Sequence, residues 1–270
     1  MSDRSPSMSE PTSSSSTAIE VDDLSASYYV RVSRAAGWWG LRGLMGSENK
    51  GRREVPALRN VTFDVPKGTV LGIIGRNGAG KSTLLRTLAG ILAPSEGRVT
   101  VRGRISPLLS VGLGMQGDLT GRDNIRLGAL AFGHSVNQLK ALEESIVDFA
   151  ELGEYVNYPF KTYSAGMKSR LGFAVAAHLD PEILLIDEAL AGGDAKFKEK
   201  TAEKMFELCG DGRTIAVVTH GLTLVRSIAT TALWLHQGQV VEYGDPDDVV
   251  SAYMRYCRID SENIAGFDDE

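Results

Sequence analysis

Cysteine is scarce in this chain. There are two in 270 residues, Cys209 and Cys257, far apart and without the spacing of metal ligands. That argues against a disulfide scaffold and for a reducing compartment. Long apolar runs are also lacking, and none approaches the roughly 20 residues that span a bilayer. The opening stretch, MSDRSPSMSEPTSSSST, holds no apolar block of the kind a secretory signal needs, so none is expected. Positive charge is not in excess either: 29 Lys and Arg stand against 34 Asp and Glu, a net charge of -5. A protein whose main work is to coat nucleic acid would be basic, and no nucleic-acid partner is expected.

What is present is globular. With 43% hydrophobic and 23% charged residues the chain is neither wholly disordered nor fibrous, and its length suits one or two domains. No internal repeat is visible. The serine-rich residues 1–17 have almost nothing to bury and are expected to form a disordered tail. Order is expected from residues 18–21, AIEV, an alternating strand, with a second strand at 61–65, VTFDV. Three further runs, 69–74, 183–186 and 214–219, are apolar almost throughout, as strands covered on both faces are. Helical stretches between them imply a parallel sheet with crossover helices. Strand signals vanish between 119 and 180, which predicts a helical insert. Residues 232–241 predict a hairpin turning at Gln237 and Gly238. A final helix follows with Asp245 as N-cap and Pro246 first, and Val250, Tyr253, Met254 and Cys257 form its packed stripe.

Directly after the first of the three buried strands stand Gly75, Arg76, Asn77, Gly78, Ala79, Gly80, Lys81 and Ser82, a full G-x-x-x-x-G-K-S, followed by Thr83. The glycines let the backbone curl so that its N–H groups face phosphate oxygens. Lys81 would reach the β- and γ-phosphates and the Ser82 hydroxyl would hold Mg²⁺. The helix that follows adds its positive end to the same place. The strand at 183–186 runs into Asp187 and Glu188. Asp187 suits support of Mg²⁺, and Glu188 suits polarising an attacking water. Tyr163, Ser164, Ala165, Gly166 and Met167 head another helix, whose buried face takes Met167, Leu171, Ala174 and Val175. Ser164 is either a plain N-cap or part of a second phosphate-binding helix end. Two such ends in one chain suggest ATP sandwiched between two protomers.

From about residue 18 to 254 the chain resembles the nucleotide-binding subunits of ABC transporters. In that resemblance residues 75–82 match Walker A, and Thr83 joins them at the nucleotide. Asp187 and Glu188 match Walker B with its catalytic glutamate. Residues 163–167 match the signature motif, with Tyr163 where leucine is common. Asp194, after Ala191, Gly192 and Gly193, sits where the D-loop belongs, and His220 matches the switch histidine. Tyr28 is placed to stack on adenine, with Tyr29 its rival. Gln116 is the candidate Q-loop residue and metal contact, closer to Leu119–Thr120–Gly121–Arg122–Asp123–Asn124 than the family's usual spacing. The resemblance implies an α/β fold: a P-loop NTPase (RecA-like) core with an antiparallel β subdomain and an inserted α-helical subdomain at about 119–180. It covers 18–257 as one nucleotide-binding domain, with an acidic tail at 258–270.

Residues 108–125, 163–167, 233–235 and 241–246 further resemble the polysaccharide-export subfamily, which moves lipid-linked O-antigen, teichoic acid or galactan. The resemblance is closer to the teichoic-acid and galactan exporters, since no carbohydrate-binding domain follows the last helix in this sequence. It implies an ATP- and Mg²⁺-dependent motor, dimeric, bound at the cytoplasmic face of the membrane to a separate permease. One local feature supports membrane contact. Between 31 and 53, Arg31, Arg34, Arg42, Lys50, Arg52 and Arg53 face one acid, Glu48, around Trp38 and Trp39. Such a stretch suits a headgroup region or the lipid-pyrophosphate end of the cargo, or else packs on a partner subunit. The rival readings are a soluble ABC ATPase and an exporter motor for a drug or lipid.

Overall fold

The computed structural model describes residues 16–31, 52–108, 114–187 and 195–265. Strand β1 (Thr17–Arg31) pairs antiparallel with β2 (Arg52–Pro66). Both run much further than the alternating stretches 18–21 and 61–65 predict. The reason is a break in each alternation. Asp23 (φ 49°) and Asn60 (φ 48°) lie at register shifts, and the Asn60 amide donates to Asp23 Oδ1 at 2.8 Å. The inward set therefore changes parity, from Val21 to Leu24 on one strand and from Leu58 to Val61 on the other, and all four side chains are buried.

β3 (Val70–Ile74) is buried at every position and leads into α1 (Lys81–Leu88). Two strands escape sequence reasoning. β4 (Glu96–Val101) is largely exposed and pairs with β1, completing a three-stranded sheet in the order β2-β1-β4. β5 (Ile105–Leu108) has four residues, one of them Pro107, and sits at the open edge of the second sheet, where a missing N–H does no harm. The helical stretch then contains α2 (Gly121–Ala131), α3 (Val136–Ala150) and α4 (Ala165–His178), with two short 3-10 turns before α4. Thr120 caps α2 and Ser135 with Gln138 forms a capping box on α3. Glu143 ties these helices together, because its buried carboxylate takes Arg122 and Arg126, each at 2.6 Å. Burial alone would raise the Glu143 carboxyl; the two guanidinium groups outweigh it and hold it below the usual carboxylate value.

The chain returns to the sheet as β6 (Ile183–Asp187), passes α5 (Ala195–Gly210), and adds β7 (Thr214–Val218). After α6 (Leu222–Ile228) come β8 (Thr231–His236) and β9 (Gln239–Gly244). Their turn is the predicted one, with positive φ at both Gln237 and Gly238. The six-stranded sheet runs β5-β6-β7-β3-β8-β9, parallel except for β9. Together with the antiparallel sheet and the helical insertion, this is the ABC ATPase fold. One core lies between the two sheets and around α1, whose Leu84, Leu85 and Leu88 are fully buried. Each such side chain contributes roughly 1.5–3 kcal/mol of burial free energy.

The last helix, α7 (Pro246–Ala265), starts as its sequence predicts, with Asp245 Oδ1 accepting from the N–H groups of Asp247 and Asp248. Its packed stripe needs correction. Met254 is 47% exposed, whereas Val249 and Val250 are buried and Tyr253 and Tyr256 close on Trp234. The helix is rotated toward Val249 because the Trp234 indole on β8 fills the space between the two tyrosine rings. No helix among the described residues is long and apolar enough to cross a membrane.

Candidate functional site

The parallel strands set the geometry. Asp187 at the end of β6 is level with Val218 of β7, and Val218 is level with Ile73 of β3. The segments that leave these strands, residues 75–82, Asp187 itself and His220, therefore gather at one carboxyl edge. In an open parallel sheet that edge is where ligands bind.

The loop 75–80 winds tightly against the hairpin. Gly75 has φ 148°, and a Cβ there would overlap the main-chain oxygen of Leu235 on β8, so only glycine fits. Gly238 N–H donates to the Ala79 carbonyl at 2.9 Å, fastening the loop from behind. Lys81 opens α1 and is 7% exposed. Its ammonium donates to the carbonyls of Gly75 (2.6 Å) and Arg76 (3.0 Å), so it lies across the mouth of the loop it belongs to. Burial pushes this lysine below its usual value, partly offset by the negative charge of Asp187. Ser82 Oγ donates to Asp187 Oδ2 at 2.6 Å. Two hard oxygen donors thus meet beside Lys81, a pairing that could hold a small divalent cation.

Thr83 is buried in the first turn of α1, and its Oγ1 lies 3.4 Å from the Tyr28 hydroxyl, which also accepts from Arg86 at 3.5 Å. Tyr28 is therefore the tyrosine of the pair held against α1, while Tyr29 is 64% exposed. His220 is exposed at the end of β7, just after the buried Thr219, whose Oγ1 accepts from Gly221 N–H at 2.9 Å. Ser164 caps α4, its Oγ accepting from Met167 N–H at 3.2 Å, and Ala165 and Gly166 form the first turn. Ser164, Gly166, Met167, Arg170, Glu151 and Tyr155 line an open groove around that helix end. Met167 is only half-buried, so the inward face of α4 rests on Leu171, Ala174 and Val175.

Gln116 lies in the loop before α2 and is exposed; its main chain, not its side chain, is the part that is held. Glu188 and Asp194 fall outside the described residues, as do residues 32–51, which include Trp38, Trp39 and Arg42. Two residues carry more of the local structure than sequence reasoning assigns them. Asn124 is buried and satisfies the main chain of Gln116, Leu119 and Thr120 at once. A polar side chain next to Ile125 on the inward face of α2 was the available signal. Gly121 is the second, through its contact with Tyr163.

A phosphate loop, an acid-ended strand and a capped second helix on this topology define an ATP-binding cassette of the P-loop NTPase class. Residues 58–191 match the family described as ABC transporter, so the chain carries an ABC transporter ATP-binding domain. It is 46% identical over 202 residues to a teichoic acids export ATP-binding protein of Bacillus anthracis, covering 75% of this chain and 37% of the relative. It is 41% identical over 228 residues to an O-antigen export system ATP-binding protein of Myxococcus xanthus, covering 84% of this chain and 52% of the relative. The chain thus spans less than two thirds of the length of these curated relatives. Among solved structures, an ATP-binding subunit of an ABC transporter superposes with a TM-score of 0.70 at 25% identity, covering 88% of this chain and 93% of that one.

Proposed function

We propose that this chain is the ATP-hydrolysing motor of an exporter that moves a lipid-linked cell-surface polysaccharide across the cytoplasmic membrane. The observation that carries the motor is the meeting of Lys81, Ser82 and Asp187 at the carboxyl edge of the sheet. The cargo follows from similarity to teichoic-acid and O-antigen export proteins.

In this reading the Lys81 ammonium exchanges the carbonyls of Gly75 and Arg76 for β- and γ-phosphate oxygens, and the backbone of the loop 75–80 wraps the same charge. Ser82 and Asp187, with Gln116, would hold Mg²⁺, which would supply positive charge beside the phosphates. Thr83 and Tyr28 lie on the base and α-phosphate side. Glu188 takes the proton of the attacking water and His220 contacts the γ-phosphate. Ser164, Ala165, Gly166 and Asp194 of a second copy complete the site, so two copies close on two nucleotides. Removing a metal-holding group weakens metal affinity by about tenfold or more. Ser82→Ala is therefore expected to raise the Mg²⁺ concentration for half-maximal hydrolysis by about that factor, measured by phosphate release across a Mg²⁺ titration. An unchanged titration removes Ser82 from the metal site.

The motor works at the cytoplasmic face, bound to a separate membrane permease. An apolar cleft of about 260 Å³ between β5, α2 and α4, lined by Leu108, Met115, Leu127, Val175 and Leu179, offers such a partner a foothold. The test is purification of the tagged chain from detergent-extracted membranes, together with depletion in the cell. The expected result is a co-purifying polytopic membrane protein and loss of surface polysaccharide. A chain found only in the soluble fraction, with surface polymer intact, supports a soluble ABC ATPase instead.

A further inference from the structure

The residue before the helix-capping Ser164 is anchored in an unusual way. Tyr163 is 4% exposed, and its hydroxyl donates to the Tyr155 carbonyl at 2.7 Å. The same hydroxyl occupies the space beside Gly121, the first residue of α2. A Cβ on Gly121 would overlap it and would stand 2.9 Å from the Val156 carbonyl oxygen. The Phe160 ring tilts against the tyrosine at 5.4 Å between centroids. Tyr163 therefore plugs the junction between the start of α2 and the turns that precede α4.

That junction is strapped on its other side as well. Phe160 N–H donates to the Leu119 carbonyl at 2.8 Å and Lys161 N–H to the Gly117 carbonyl at 2.9 Å. Lys161 Nζ reaches Asp118 at 2.7 Å, and Thr120 forms a bridge with Pro159. Asn124 then pins the same loop, 116–120, to α2. Upstream of this loop is β5, whose Leu108 is level with Ile186, the residue before Asp187. Hydrogen bonds thus hold the loop 116–120 both to α2 and to the residues just before Ser164.

We propose that Tyr163 is a positioning residue: its hydroxyl, seated against Gly121, sets Ser164 and the first turn of α4 where a second copy's nucleotide can meet them. This rests on the reading that Ser164 of one copy contacts the ATP of the other. Leucine, common at this position in the resembling family, fills volume but cannot make the bond to Tyr155. Burial pushes the Tyr163 phenol above its usual value, so it stays a proton donor across the working pH range.

The experiment measures two quantities in the full chain carrying Tyr163→Phe: affinity of the single copy for a fluorescent ATP analogue, and hydrolysis rate against protein concentration. Nucleotide affinity is expected to stay within about twofold, because residues 75–83 of the same copy are untouched. The protein concentration for half-maximal hydrolysis is expected to rise about tenfold, the size of effect one lost buried hydrogen bond carries. The plateau rate returns at high concentration. Gly121→Ala, which presses on the hydroxyl, is expected to shift the profile the same way, and by less when Tyr163 is already Phe. A wild-type concentration profile in both single variants overturns the assignment. So does a loss of nucleotide affinity with a rate that high protein concentration cannot restore, which marks general misfolding. Ser164→Arg separates the two levels. Full hydrolysis by that variant removes the shared-nucleotide reading and the role of Tyr163 with it. Loss of hydrolysis there, beside an unchanged Tyr163→Phe profile, overturns the Tyr163 assignment alone.

Discussion

Lys81→Met is expected to lower ATP hydrolysis by about a thousandfold, the upper range for removing one preorganised donor from developing negative charge. The Lys81 ammonium is hydrogen-bonded inside the loop, held there by the carbonyls of Gly75 and Arg76. Methionine keeps the length of the side chain and discards the charge. Folding should survive the change. A lysine whose folded value is depressed costs stability while charged, below that value, and the cost lifts as pH rises toward the unfolded 10.5. Methionine removes that cost at neutral pH, and it also leaves the carbonyls of Gly75 and Arg76 without their donor. The two effects oppose, so the melting midpoint is expected within about 3 °C of wild type. Phosphate-release kinetics beside a thermal melt check both halves. Hydrolysis above a tenth of the wild-type rate in a folded Lys81→Met chain sinks the assignment.

Glu188→Gln is the second large effect. Glutamine matches the carboxylate in shape but cannot take a proton, so hydrolysis should fall by about a hundredfold or more while nucleotide binding persists. The residues proposed to hold the phosphates, 75–83, and the metal, Ser82 and Asp187, are unchanged, so the closed pair should form and fail to reopen. Size-exclusion chromatography with ATP is expected to show a species of twice the mass that the wild-type chain forms only transiently. Rapid turnover by Glu188→Gln moves the base elsewhere. Loss of both binding and turnover makes Glu188 a structural residue.

The parts of the site that a sequence displays are those built from contiguous residues. Residues 75–82 are such a part, because a phosphate loop is a local backbone path with glycines where only glycine fits, as the overlap of Gly75 with Leu235 makes plain. Asp187 is another, since the apolar run before it marks the strand and the acid its end. The fold is legible wherever burial on both faces leaves an unbroken apolar run, as in β3, β6 and β7. It is illegible where two residues reset the pleat: Asp23 and Asn60 hide two thirds of β1 and β2. β4 and β5 stay hidden because one is exposed and the other is four residues long with a proline. The link between Tyr163 and Gly121 crosses 42 positions of chain, and nothing local announces it. Met254 shows a different failure, since a helical stripe gives periodicity but not phase; the Trp234 ring decides which side of α7 turns inward.

The proline in β5 has a further consequence for how copies of this chain can associate. A sheet margin normally invites another chain to add a strand, because its outward N–H and C=O groups are unpaired. A strand of four residues turns only about two N–H groups outward, and proline supplies none of its own. Strand addition beyond β5 would gain only a few hydrogen bonds, mostly to its outward carbonyls. The chain is thereby protected on that side from growing into filaments through its own sheet.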